Sequence, residues 1–386
     1  MKIILAIDSF KGCLSSEEIE KIFSDELSAR GNNVCMIPVS DGGEGMLKAF
    51  CSVLDGKIIQ SKVHDPLMRT ITAEYGITPE GTAIIETAEA CGLNLMKPSE
   101  RNPMAATTYG VGELICDAMK HGCRNFIIGL GGSGTSDCGI GMLNAIYDNL
   151  KEQSAREQEH NLTQNKEVCQ HDGKYDSENA IFSNFQDIHQ IINNSILHEC
   201  KFIIASDVRN PLYGKDGAAY IFSPQKGASP ETVKLLDKRA MQFAGYSAAL
   251  LGKDTSGNPG AGAAGGLGYA FMQYLDASTT SGADLLLDIS DFGNAIKDAD
   301  LIITGEGHAD KQTLMGKLPE RILRRAKQYN IPVWLIAGRA SDKEILISAG
   351  FDKVDSITPD GMNVDEAVKV DNTIRNIKNW VEKERL

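Results

Sequence analysis

The sequence predicts an α/β protein of two three-layer α/β/α domains: a discontinuous, doubly wound parallel-sheet domain with a second α/β domain inserted into it. Three observations carry this. Strand-like and helix-like segments alternate almost throughout, the pattern of parallel sheets covered by helices on both faces. The short apolar runs end in glycine-rich turns that open helices, as βα units do. The length, 386 residues, suggests two or three domains at ~150 residues each.

Lys2–Ile7 is a short apolar run, read as the first strand. Ser15 then opens a helix, with Glu18 three residues on completing a capping box. Val34–Val39 is a second strand, followed by a glycine turn and a helix to about Leu54. Ile58–Val63, Thr72–Ile77 and Ala83–Ile85 read as strands, and Ala105–His121 as a helix. The strand Phe126–Leu130 enters a glycine loop and a helix that runs to about Asn149. Residues 151–198 are rich in Gln, Asn, Glu and His, without periodic apolar spacing. They read as a surface excursion with at most a short helix near Ile188–Ile192. Lys201–Ala205 resumes a strand, Pro230–Leu251 and Gly266–Leu275 are helices, and Leu301–Thr304 and Val333–Ala337 are buried strands. No solenoid repeat is present. The first two strands and the last βαβ units form one Rossmann/flavodoxin-like sheet, from residues 1–77 and 288–386, and 78–287 form the insert. A cleft between the two is the expected ligand site, with hinges near Tyr75–Glu80 and Asp284–Asp291.

Hydrophobic residues at 42% and charged residues at 24% are ordinary for a folded globular chain. The net charge of −13 argues against nucleic acid or an anionic membrane as a partner. It leaves small anionic substrates open, because lysines, helix N-termini and a bound cation make a site locally positive. The chain enters a strand straight after Met1-Lys2, with no apolar segment of signal-peptide type and no membrane-length run. The nine cysteines include no C-x-x-C pair, so free thiols in a reducing cytoplasm are expected. The oligomeric state is left open.

Five loops carry the chemistry. Asp8-Ser9-Phe10-Lys11-Gly12 follows the first strand and pairs a carboxylate with a lysine; the competing reading is a helix entry with a solvated lysine. Ser40-Asp41-Gly42-Gly43-Glu44-Gly45 lets the backbone approach a ligand and offers two acids to a divalent cation; otherwise it is a tight βα turn. Gly129-Leu130-Gly131-Gly132-Ser133-Gly134-Thr135-Ser136-Asp137 leaves a strand and opens a helix, a candidate anion cradle. It is neither a Walker A loop nor G-x-G-x-x-G. Ser206-Asp207-Val208-Arg209-Asn210 puts a carboxylate at a strand end, suited to accept a hydroxyl proton or hold a metal, and leads on to Gln225-Lys226-Gly227. Thr304-Gly305-Glu306-Gly307-His308-Ala309-Asp310 runs on through Thr313 to Gly316-Lys317. A sixth, weaker element is the run from Pro259 to Gly268, which either lines a nucleotide site or permits close helix packing. Phosphoryl transfer needs this mix: N–H groups and cations for phosphates, acids for Mg²⁺, and a carboxylate for the acceptor hydroxyl.

Together these stretches closely resemble the glycerate kinase type I family. The matching segments are Asp8 to Gly12, Asp41 to Gly45, Gly129 to Ser133, Asp207 to Leu212, Gln225 to Gly227, Gly262 to Gly268 and Gly305 to Lys317, in the family's order. The resemblance implies ATP and Mg²⁺ as cofactors, D-glycerate as acceptor, and 2-phosphoglycerate as product. Gly134, Ser136 and Cys138 stand where the family's pattern leads one to expect Ala, Asn and Gly. On this reading Asp207, Asp41 and Lys11 are catalytic, with Asp207 the first choice of base and Asp41 the second. Asp8, Ser9, Gly42, Gly43, Glu44, Gly131, Gly132, Ser133, Thr135, Asp137, Asn210, Lys226, Gly265, Gly266, Glu306, Asp310, Thr313 and Lys317 bind substrate or phosphate. Asp41, Asp207 and Glu306 are the metal candidates. The alternatives are a kinase of another small hydroxy acid, a dehydrogenase and a sugar-acid-binding regulatory module. The dehydrogenase lacks its dinucleotide fingerprint, and the regulatory module lacks a DNA-binding element.

Overall fold

A computed structural model describes every residue except Lys11, Asp41, Gly42, Glu44, 162–195 and Arg385, with the backbone alone for 153–161. The described strands are β1 (Lys2–Ile7), β2 (Asn33–Met36), β3 (Lys57–His64), β4 (Thr70–Ile77), β5 (Thr82–Glu86), β6 (Asn125–Gly129), β7 (Lys201–Ala205), β8 (Ser278–Thr280), β9 (Leu301–Gly305), β10 (His308–Ala309), β11 (Val333–Ala337), β12 (Arg339–Ala340) and β13 (Lys353–Ser356). The chain divides into two units. The first comprises Met1–Lys57, Ala205–Asp207 and Thr280–Leu386; the second comprises Ile58–Ile204 and Val208–Thr279.

The first unit holds a five-stranded sheet in the order β13-β11-β9-β1-β2, with every adjacent pair parallel. Its central strands read as unbroken apolar runs because both faces are covered. On one face Ile4, Ala6, Ile302 and Leu335 pack with Ile322 of the helix Leu318–Lys327. On the other, Ile3, Leu5, Ile7 and Ile303 pack with Phe23 of the helix Ser16–Ser28 and with Trp380 of the helix Val370–Glu384. The first of these helices starts where the capping box places it. Glu18 N–H donates to Ser15 Oγ at 3.2 Å, and Ser15 N–H donates to Glu18 Oε2 at 2.8 Å. The strand order reverses direction at β1/β9, since β1 leads outward to β2 and β9 leads outward through β11 to β13. Open α/β sheets bind ligands outside the carboxyl ends of the strands at such a point.

The second unit holds a six-stranded sheet in the order β3-β4-β5-β6-β7-β8. β5 and β6 are parallel, in register from Thr82↔Asn125 to Glu86↔Gly129. β4 and β5 are antiparallel, where the alternation of elements predicts a parallel sheet. The turn between them is too short for a crossover helix: Thr78 N–H donates to Thr82 O at 3.0 Å and Gly81 turns at φ 78. Because β3 and β4 extend this sheet, residues 58–77 cluster with the second unit and not with residues 1–57. The other boundary falls at Thr280, and Ala205–Asp207 cluster with the first unit. The core includes Phe126 and Phe202, stacked at 4.7 Å between ring centroids. The helix after β6 runs from Ile140 to Asn161, past the Asn149 limit read from sequence. Most of the 151–198 excursion, including the helix expected near Ile188–Ile192, lies outside the described residues.

No described helix is long and apolar enough to cross a membrane, and the described cysteines are all free.

Candidate active site

In the first unit the carboxyl ends of β1 and β9 bring acids and a lysine to the reversal point. Asp8 follows β1, is 7% exposed, and its N–H donates to Gly305 O at 2.9 Å. Its Oδ1 accepts from Ser9 N–H at 2.8 Å. Glu306 follows β9 and is 8% exposed. One of its oxygens accepts from Thr313 Oγ1 at 2.7 Å and the other from Lys317 Nζ at 2.7 Å. Thr313 in turn accepts from Asp310 N–H at 3.1 Å, and Asp310 Oδ1 caps the following turn through Gln312 N–H at 2.8 Å. Asp310 and Thr313 therefore shape the loop, while Glu306 and the half-exposed Lys317 form its charged end.

Beneath β1 lies a residue that the sequence reading passed over. Glu20 is fully buried, and its Oε1 accepts from Ile7 N–H at 2.9 Å. β2 supplies the last ladder bond at Ile37 N–H to Leu5 O, 2.8 Å. Past that point Glu20 takes over as the partner of β1. Burial pushes its carboxyl well above the usual carboxylate range. A charged residue on the apolar face of an otherwise regular amphipathic helix is the signal that could have found it.

In the second unit, the loop after β6 is tied down from several sides. Leu93 N–H donates to Gly132 O at 2.9 Å and Gly134 N–H to Cys91 O at 2.7 Å. Lys226 is 2% exposed, and its Nζ donates to Ser133 Oγ at 3.0 Å and Thr135 O at 2.6 Å. Burial draws its pKa down to about 8, with Cys91 and Asp137 acting in the opposite direction. Asp137 accepts on Oδ2 from Thr108 N–H (2.8 Å), Thr108 Oγ1 (2.9 Å) and Gly141 N–H (3.1 Å), and on Oδ1 from Gly139 N–H (3.1 Å). The start of the helix Ile140–Asn161 is thus capped by the protein's own carboxylate. The expected cradle narrows to Gly131, Gly132 and Ser133, of which Gly132 is exposed.

Gly265 and Gly266 lie at the start of the helix Ala263–Tyr274, buried, with φ of 67 and 92. A Cβ on Gly265 would stand 2.1 Å from Thr135 O. They let this helix press against the loop, the packing alternative read for this run.

Asp207 and Asn210 are engaged elsewhere. Asp207 pairs with Arg321 Nη2 at 2.7 Å and accepts from Ser281 Oγ at 3.2 Å. Arg321 also pairs with Asp284 and donates to Gly316 O at 2.6 Å. Arg321 occupies one oxygen of Asp207, and its positive charge opposes adding a proton there. Asn210 Nδ2 donates to Asp216 O at 2.8 Å, closing its own loop. Arg321 was missed because its partners come from residues 207 and 284, far away in sequence. Lys11, Asp41, Gly42 and Glu44 lie outside the described residues, and Gly43 forms a bend between them.

A family model described as the glycerate kinase family matches residues 3–383. The chain belongs to the glycerate kinase family. Its members are ATP-dependent kinases, so ATP is the phosphoryl donor. The chain is similar to a glycerate kinase of Bacillus subtilis (strain 168), 38% identical over 373 residues, which cover 95% of this chain and 93% of that protein. It is similar to a glycerate 2-kinase of Escherichia coli K12, 37% identical over 387 residues, covering 98% and 97%. Among solved structures it matches a crystal structure provisionally described as glycerate kinase 2 from Salmonella typhimurium LT2. The TM-score is 0.71 at 32% identity, covering 100% of this chain and 99% of the other.

Proposed function

We propose that this glycerate kinase family member transfers the γ-phosphoryl group of ATP to the 2-hydroxyl of D-glycerate, giving 2-phosphoglycerate and ADP. The observation that carries the reading is the convergence of Asp8, Glu306 and Lys317 on the carboxyl ends of the adjacent strands β1 and β9. Phosphoryl transfer asks mainly for positioning and charge neutralisation, and a lysine beside two acids can supply both. Lys317 would neutralise phosphate charge, with Glu306 holding its amine and Thr313 holding Glu306. Gly131, Gly132 and Ser133 would receive an anionic group of either substrate.

Mg²⁺ is part of the proposal. Among the described residues no three His, Cys, Asp or Glu side chains gather into a ready-made metal cage. Mg²⁺ does not need one, since it is usually held by one or two carboxylates together with substrate phosphates and water. Asp8 and Glu306 provide hard oxygen donors of that kind, with Asp41 as the further candidate from sequence. The ion would neutralise phosphate charge.

For the proton acceptor the choice shifts to Asp41, because Asp207 is held by Arg321. General bases typically contribute 10²- to 10⁴-fold. Asp41→Asn is therefore expected to lower kcat at least ~100-fold with a small change in KM, and Asp207→Asn by less than ~10-fold. The reverse ranking returns the role to Asp207. ADP release across a panel of small hydroxy acids, with phosphorus NMR of the product, tests the reaction itself. Turnover of a different acid, or phosphate on the 3-hydroxyl, would replace the substrate or product named here. A reducing cytoplasm is the proposed location, in keeping with buried free thiols such as Cys91 and Cys116.

A further inference from the structure

Lys226 sits under the glycine loop after β6, a candidate anion site of the second unit, and is itself buried. It is 2% exposed, and its Nζ donates to Ser133 Oγ and to Thr135 O. A neutral side chain could hold two such bonds without the desolvation cost of an ammonium. A buried cation is worth that cost where negative charge has to be received close by in a dry site. The contact with Ser133 has a directional consequence. A hydroxyl has one hydrogen, and its oxygen accepts. Because Lys226 donates to Ser133 Oγ, the oxygen is occupied as an acceptor and its own hydrogen is left to give. Ser133 is 8% exposed, next to the exposed Gly132. Thr135, the other anchor, is fully buried.

We propose that Lys226 is a positioning residue that holds the Ser133 hydroxyl as a donor for an anionic oxygen of a substrate, either a phosphate of ATP or the carboxylate of glycerate. The proposal rests on the kinase reading above. The ammonium fixes the Ser133 hydroxyl and polarises its O–H, so its charge acts on the ligand through the serine, and Ser133 makes the contact. The titratable groups facing the amine are Cys91 and Asp137. Burial holds the Cys91 thiol up to about 12, so it stays neutral at ordinary pH. Asp137 is fixed in the helix cap by donors from Thr107, Thr108, Gly139 and Gly141. The amine, drawn down to about 8, is the group of this cluster that changes charge in the working range.

The test is steady-state kinetics of the full chain with ATP and glycerate varied separately, from about pH 6.5 to about pH 9.5. The proteins are the wild type, Ser133→Ala, Lys226→Met and the double variant. Ser133→Ala should raise one KM about 10-fold, the size of a charge-assisted hydrogen bond. An effect on KM for ATP assigns the anion as phosphate, and an effect on KM for glycerate assigns it as carboxylate. In the wild type the same KM should rise as the pH passes about 8, and that rise should be absent from Ser133→Ala. Lys226→Met should add less than about 2-fold in the Ser133→Ala background, because the two act as a unit. The inference is overturned if Ser133→Ala leaves both KM values within about 2-fold of wild type, or if its alkaline rise persists. It is also overturned if the two substitutions are additive. Should Lys226→Met not fold, the pH comparison of wild type with Ser133→Ala decides alone. Absence of ADP formation from glycerate by the wild type would instead remove the kinase reading.

Discussion

At the scale of single residues, who donates to whom decided the roles. Lys226 shows this in its thermodynamics as well. Its pKa is lowered from 10.5 to about 8 by burial. Between those values the unfolded chain binds the proton and the folded chain does not, so stability should rise with pH across that window. Below about 8 both states are protonated, and the folded state carries the full penalty, roughly 3 kcal/mol. Buried thiols act in the opposite direction higher up. Cys91, Cys116 and Cys138 are raised from 9.0 to about 12, so their stabilising effect is lost as the unfolded thiols ionise above ~9. The Lys226 contribution is therefore read most cleanly between about pH 8 and pH 9. Urea titrations should show wild type gaining stability there relative to Lys226→Met; parallel pH profiles would contradict it. The sequence showed that Asp137, Asp207 and Lys226 occupy chemically useful loops, but not their partners. Thr108 completes the Asp137 cap from 29 residues away, and Arg321 reaches Asp207 across 114. Such pairings exist only once the sheets have formed. Glu306 with Lys317 was legible because both belong to one strand-end loop.

At the scale of elements, local pattern was a good guide wherever it alone sets the structure. β1, β7, β11 and the helix Pro230–Leu251 begin and end where their apolar runs, caps and turns place them. Prediction failed where a neighbour overrides local preference. The helix Ala263–Tyr274 opens with Ala264, Gly265 and Gly266 in left-handed conformations, a shape set by the loop it packs on. Of the two readings of this glycine run, ligand lining and close packing, the close approach of helix to loop requires glycine at Gly265. Gly265→Ala should be costly on two grounds. A Cβ would sit 2.1 Å from Thr135 O and 2.7 Å from Ser136 Cα, and alanine at positive φ is strained. Overpacking alone typically costs 1–3 kcal/mol, so a loss of about 2–4 kcal/mol is expected in chemical denaturation. Gly252→Ala makes the control. It shares a positive φ of 67 with nothing within 4 Å of the new atom, so it should lose only about 1 kcal/mol. Equal losses at the two sites would show that strain, and not the close approach, makes glycine necessary at Gly265.

At the scale of the whole molecule, chain order makes the two units unequal partners in stability. The central pairing of the first unit, β1 with β9, joins residues 3–7 to 301–305. Between the pieces that build that sheet lies the second unit, from Ile58 to Thr279 apart from the short return at Ala205–Asp207. If that unit is unfolded, β1 and β9 must close a loop of ~220 flexible residues, with an entropic cost of roughly 5 kcal/mol. If it is folded, its first and last strands are fixed five strand spacings apart, ~24 Å, and most of that cost has already been met. The second unit carries no such dependence, since its own strands close over shorter stretches. Both tryptophans, Trp334 and Trp380, lie in the first unit, so selectively excited tryptophan fluorescence reports that unit alone. Amide exchange of β5 and β6 reports the other. Phe126→Ala removes a fully packed ring from the second unit and should destabilise it by about 3–5 kcal/mol. The tryptophan unfolding midpoint should fall with it, although neither tryptophan belongs to that core. Phe23→Ala removes the ring that meets Trp380 edge-on at 5.8 Å and should lower the same midpoint. Under mild denaturant it should leave the exchange protection of β5 and β6 unchanged. A tryptophan midpoint unmoved by Phe126→Ala would mean that the first unit closes without the second. Loss of β5 and β6 protection in Phe23→Ala would mean that the dependence runs both ways, and the loop-closure argument would no longer account for it.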